Sequence, residues 1–61
     1  MGKLLTEKQV AERLGFHVQT LRNHRFEGRG VPYCKIGRAV RYDENDVIAF
    51  IEASKVQPAE R

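Results

Sequence analysis

Apolar positions fall into four short groups along this chain, and their spacing changes from one to the next. In the first, LLTEKQVAERLG, residues Val10, Ala11 and Leu14 stand at i, i+1 and i+4, one stripe of a helix. Thr6 can cap that helix, and Gln9 three residues on completes a capping box, each side chain satisfying the other residue's backbone N–H. Leu5, just before the cap, and Val10 are spaced to meet as a hydrophobic staple. Gly15 is the expected stop. The second group, FHVQTLRNHRFEG, sets Val18, Leu21 and Arg25 on one helical face and Gln19, Arg22, Asn23 and Phe26 on another, with Gly28 at the end. Strand spacing follows in VPYCKIGRAVRY. Pro32 cannot continue a helix. Tyr33, Cys34 and Ile36, then Val40 and Tyr42, suit two short strands, with Gly37-Arg38-Ala39 as the bend and Ile36 and Val40 directed to one side. The last group, YDENDVIAFIEASK, returns to helix. Asp43 is its N-cap, Glu44 and Asp46 favour the positive end of the helix dipole, and Val47, Ile48, Phe50 and Ile51 make its apolar side.

The predicted order is helix, helix, hairpin, helix: a mostly α fold with a small β-hairpin. Two short helices joined by about three residues containing glycine have the spacing of a helix-turn-helix, a spacing that any small α-hairpin shares. A hairpin placed directly after such a pair is a wing. Residues 1–55 form one winged helix-turn-helix domain on this reading. Residues 56–61, VQPAER, form a flexible C-terminal tail, because Pro58 ends any helix before it.

Length narrows the chemistry. Chains as short as these 61 residues bury only about 60% of the surface their unfolded form exposes, so the core has to be economical. The single cysteine, Cys34, excludes an intrachain disulfide and fits a reducing compartment. No apolar run approaches the ~20 residues of a membrane span, and MGKLLTEKQV lacks the apolar centre of a signal peptide. The expected location is the cytoplasm. His17, His24 and Cys34 are the soft metal ligands, and none of their spacings is that of a zinc finger, so neither metal nor cofactor is expected. A Cys-His catalytic pair needs a pocket for which so small a domain has little room, and no enzyme activity is expected.

Charge adds a direction. The net charge of +3 conceals an uneven distribution. Residues 13–41 carry Arg13, Arg22, Arg25, Arg29, Lys35, Arg38 and Arg41 against Glu27 alone, whereas residues 43–61 are net acidic. An extended basic face suits phosphate, and a solvated surface of uneven charge is the plainer alternative.

Placed on the predicted elements, these residues suggest roles in binding double-stranded DNA. The second helix is of a size to enter a major groove. On its exposed face Arg22 can grip guanine, and Gln19 or Asn23 adenine. Thr20 near its start either contacts phosphate or packs. On the wing, Arg38 at the bend is placed for the adjacent minor groove, whose negative potential attracts arginine, or for the backbone. Lys35 and Arg41 suit phosphate, and Arg25 and Arg29 are further candidate phosphate contacts. Phe26, apolar on a polar face, is either a contact residue or a core residue under the wing.

Taken together, Leu4-Leu5-Thr6, Val10-Ala11, Leu14-Gly15, Thr20-Leu21, Gly28, Val31-Pro32, Lys35-Ile36-Gly37-Arg38, Arg41, Asp46-Val47 and Phe50-Ile51 resemble the small excisionase-type DNA-binding domains. These are related to the MerR-like winged helices and include phage recombination directionality factors and AlpA-like transcription regulators. The resemblance runs from Leu4 to about Ile51 and rests on LLT…A…LG combined with KIGR…R. It departs from the family pattern at His17, where serine is usual, at Val18, often arginine, and at His24, usually large and apolar. Gly30 lengthens the link to the wing by one residue.

What the resemblance implies is an architectural role. Excisionases bind repeated sites in phage attachment DNA cooperatively, bend it, and bias an integrase toward excision. The implied partners are duplex DNA, neighbouring copies of the chain and a phage integrase. From its charge, the acidic third helix can face the basic block of the next copy, a head-to-tail contact that need not close. An AlpA-like transcriptional regulator would use the same fold, and a protein-interaction module without DNA binding is the reading from another class. Nothing resembling an effector or dimerisation segment follows Lys55, which argues against a ligand-sensing regulator of the MerR type.

Overall fold

A computed structural model of the chain describes residues 2–56 and residue 58. Its elements run β1 (Leu4–Thr6), α1 (Glu7–Leu14), α2 (Val18–Glu27), β2 (Cys34–Ile36), β3 (Ala39–Asp43) and α3 (Glu44–Ser54). The fold is a winged helix-turn-helix, three helices with a small antiparallel sheet. No helix among the described residues is long and apolar enough to cross a membrane. Most of the flexible tail expected over 56–61 lies outside the described residues.

Local chemistry sets the helix boundaries. Thr6 Oγ1 accepts from the Gln9 N–H at 3.1 Å, and Gln9 Oε1 accepts from the Thr6 N–H at 2.9 Å, the reciprocal box that starts α1. Both helices of the pair close alike. The Phe16 N–H donates to the Ala11 carbonyl and the Arg29 N–H to the His24 carbonyl, each at 2.9 Å, with the preceding glycine bonded back one turn. Three residues, Gly15 to His17, therefore separate α1 from α2. His17 caps α2 with no side-chain hydrogen bond. Asp43 caps α3, its Oδ1 accepting from the Asn45 N–H at 2.8 Å.

The hairpin is part of a larger sheet than its spacing indicated. Leu4–Thr6 forms a third strand, and the order is β1-β3-β2, all antiparallel. Leu5 pairs with Tyr42, and both are buried. Two apolar residues before a helix cap are too few to display the alternation of a strand, which is why this segment reads only as the approach to α1. The turn is also tighter than Gly37-Arg38-Ala39. Ile36 pairs with Ala39, leaving Gly37-Arg38 as a two-residue loop. Gly37 has φ 62 and no non-glycine residue among those described has positive φ, which fits a type II′ turn, where the first loop residue alone needs a positive φ.

Two side-chain directions differ from expectation. Directly paired residues share a face, so Ile36 lies with Ala39 on one side of the sheet and Val40 with Lys35 on the other. Val40 packs on the core, whereas Ile36 is exposed. On α3, Val47 is buried and Phe50 packs beside it, but Ile48 and Ile51 face solvent.

The core comprises Leu5, Val10, Ala11, Leu21, Val31, Tyr42 and Val47, with Leu14, Val18, Val40 and Phe50 around it. It draws on every element except β2, and it fixes α2 against α1, which in turn packs on β1 and β3. An ion pair between Arg13 and Glu44, 2.8 Å, ties α1 to α3.

Candidate nucleic-acid interface

Leu21 holds α2 in place from its inner side. With Leu21 buried and Val18 and Arg25 half-buried, the 3.6-residue period turns Gln19, Arg22, Asn23 and Phe26 outward. All four are exposed, and Phe26 is 94% exposed, so it is not a core residue under the wing. Gln19 Nε2 donates to Asn23 Oδ1 at 3.0 Å, one turn along. Thr20 is half-buried, and its N–H donates to the His17 carbonyl at 3.0 Å.

An open cleft of about 670 Å³ lies between α2, the start of α1 and the wing. Lys8, Arg22, Arg25, Arg38 and Arg41 line it, with Glu7 as its one carboxylate. Arg22 and Arg38 thus face the same space. Arg38 makes no side-chain hydrogen bond or ion pair among the described residues, and it is exposed at the turn. Arg41 is half-buried, and its Nη1 donates to the Val40 carbonyl at 2.8 Å. Lys35 is exposed on β2 and lies outside the cleft lining.

Glu7 organises this cleft, and sequence spacing does not single it out. It is the first residue of α1, where an acid reads as a favourable charge at the helix start. In the fold its carboxylate receives Arg22 Nε at 3.3 Å and Arg25 Nε at 2.9 Å. The Tyr42 hydroxyl lies 3.5 Å from Oε2, long for a hydrogen bond. Contacts across 15 and 18 residues leave no local signature, so only the tertiary fold reveals them. The hydrogen bond to Glu7 pushes the Arg25 pKa up, against the effect of burial. Burial, and then the Glu7 charge, push the Tyr42 pKa up.

Arg25 also lies over the Tyr33 ring, 5.5 Å from its centroid, within cation–π range. It therefore separates the first cleft from a second of about 420 Å³, lined by Arg29, Val31, Pro32 and Tyr33 among others. Arg29 pairs with Glu27 at 2.7 Å, both well exposed. Gly30 belongs to this link. A Cβ there would come within 2.9 Å of His24, and its φ of 89 is strained for other residues, so the link passes closely over the His24 ring. His24 Nδ1 is buried beneath it without a hydrogen-bond partner among the described residues.

Cys34 is half-buried in β2. No three His, Cys, Asp or Glu side chains gather to hold a metal ion among the described residues. The acids of α3 are partly occupied within the chain, Glu44 by Arg13 and Glu52 by Lys55 at 2.9 Å.

A family model described as a helix-turn-helix domain matches residues 4–55, most of the chain. No curated protein matches it.

Proposed function

The chain belongs to this helix-turn-helix domain family, and on that premise we propose that it binds double-stranded DNA with α2 in the major groove and the wing alongside. The observation carrying this reading is the shared cleft, in which the recognition-helix arginine Arg22 and the wing-tip arginine Arg38 face one space. A major groove admits one helix, and a narrow adjacent minor groove attracts an arginine. Gln19, Arg22 and Asn23 read base edges, and Thr20 contacts phosphate near the start of α2. Lys35, Arg41, Arg25 and Arg29 supply phosphate contacts. On this reading the chain is a binding protein rather than an enzyme.

The finer role we propose is that of a recombination directionality factor. Its support is the excisionase-type pattern from Leu4 to Ile51, together with the size of the interface. A single small module makes few contacts, so its affinity alone is modest. Neighbouring copies on adjacent sites raise it, because each bound copy supplies the next at high effective concentration. The α3 surface bearing Ile48 and Ile51 is exposed for such a neighbour. A transcription regulator would share the DNA interface without altering integrase direction.

Fluorescence anisotropy with a labelled duplex tests the DNA reading. With about three to five phosphates neutralised, log affinity falls against log salt with a slope of roughly −3 to −4.5. A salt-independent affinity, or no binding, overturns it and favours a protein-interaction module. The finer role is tested by supplying the chain to an integrase acting on its attachment-site DNA. Excision rises and integration falls if the role holds; unchanged direction with intact DNA binding points to regulation of transcription.

A further inference from the structure

One carboxylate stands among the five cations that line the cleft, and both of its oxygens are engaged. Glu7 Oε1 accepts from Arg22 Nε at 3.3 Å and Oε2 from Arg25 Nε at 2.9 Å. The Glu7 side chain is 14% exposed and that of Arg22 58%, so the pair is anchored at its acidic end and open at the other. The anchor is stiff. Glu7 follows Thr6 directly, and Thr6 belongs both to β1 and to the capping box.

Guanidinium donors sit in a fixed planar fork of five N–H groups. Glu7 takes the Nε–H of each arginine, and the Nη groups of Arg22 make no hydrogen bond among the described residues. Arg22 is held at Nε alone, by a contact at the long end of the hydrogen-bond range, while its amino groups remain free. Guanine O6 and N7 accept two donors from one arginine, an arrangement that rewards a fork held in place.

We propose that Glu7 is a positioning residue for sequence discrimination: it holds the Arg22 guanidinium for base contact and lowers the attraction of the cleft for phosphate. This rests on the reading that α2 enters the major groove. Without the carboxylate, Arg25 loses its counter-charge and Arg22 is free to swing toward the nearest phosphate. Binding to any duplex then strengthens while preference among duplexes falls. Loss of a merely structural contact would weaken both together.

The test measures equilibrium binding of the full chain, Glu7→Gln, Arg22→Lys and the double variant to two probes. One is a duplex selected by the wild type from a random-sequence pool, the other the unselected pool. Glu7→Gln is expected to bind the pool more tightly, its salt slope steeper by up to about 0.9, one further phosphate. Its preference for the selected duplex falls by about three- to tenfold, part of what a bidentate arginine supplies. In the Arg22→Lys background the same change leaves preference unaltered, because the two residues act as one unit. Unchanged preference in Glu7→Gln, equal losses on both probes, or an equal loss of preference in either background overturns the proposal. If Glu7→Gln does not fold, Arg22→Lys decides alone: it keeps charge but lacks Nε, and retained preference overturns the proposal. A wild type that binds DNA without preference also overturns it, whereas a wild type that does not bind DNA overturns the proposed function.

Discussion

Arg22, on the exposed face of α2, and Arg38, at the turn of the wing, line one cleft although they belong to different elements. The burial of Leu21 and the packing of α2 on α1 hold the first in place, and the two-residue Gly37-Arg38 turn sets the second. A duplex lying across the cleft meets both. This relationship connects the fold to its proposed use, and each prediction below isolates one part of it.

Arg38→Ala weakens binding more on duplexes with A/T-rich flanks than on those with G/C-rich flanks. Narrow A/T minor grooves carry the stronger negative potential, and Arg38 has no partner among the described residues to hold it back. Anisotropy on two duplexes differing only in flank checks this. Equal losses would assign Arg38 to backbone phosphate instead.

Lys35→Ala weakens binding by a similar factor on all sequences and makes the salt slope shallower by about 0.9, the value of one phosphate. Lys35 is exposed and lies outside the cleft lining, so its contact is with the backbone flanking the site. An unchanged slope would remove it from the interface.

Neighbouring positions on α2 differ sharply in their effect on stability. Leu21 is 1% exposed, and Leu21→Ala costs about 2–5 kcal/mol, enough to unfold a domain this small. Phe26 is 94% exposed, and Phe26→Ala changes stability by no more than about 0.5 kcal/mol. Urea denaturation followed by circular dichroism gives both values. A large loss in the Phe26 variant would place that ring in contact with the folded chain.

These residues also show how much was legible in the sequence. Capping at Thr6 and Gln9, the stripes of α1 and α2, and the glycine between strands are local signals, and each led to the right element. The strand Leu4–Thr6 was not legible, because three residues pair with β3 from the far end of the chain and carry no period of their own. The directions of Ile36 and Val40 depend on a register that the length of the turn decides, and one residue of difference reverses the face. On α3 the apolar pattern was clear, but which of its members would be covered depends on neighbours that no local pattern specifies. Among candidate site residues, the outward face of α2 followed from periodicity. The clamp on Arg22 and Arg25 did not, since Glu7 reaches them only through the packing of α1 on α2.

Tyr42 makes stability sensitive to alkali. Burial holds its folded pKa above the unfolded value of about 10. The neutral hydroxyl's contribution is therefore complete below that value and is lost as pH rises through the folded pKa. Denaturation midpoints measured from pH 8 to 11 fall at the top of the range for the wild type. Tyr42→Phe removes that part of the fall; an identical decline in both would assign it to other groups.

Hydroxyl-radical and base-methylation footprinting of a selected duplex, with wild type, Arg22→Ala and Arg38→Ala, tests most directly whether helix and wing engage one duplex. The wild type is predicted to protect a major-groove segment and the adjoining minor-groove sugars on the same side of the DNA. Arg22→Ala loses the first protection and Arg38→Ala the second. Protections on opposite sides of the duplex, or a minor-groove pattern unchanged in Arg38→Ala, would contradict the account.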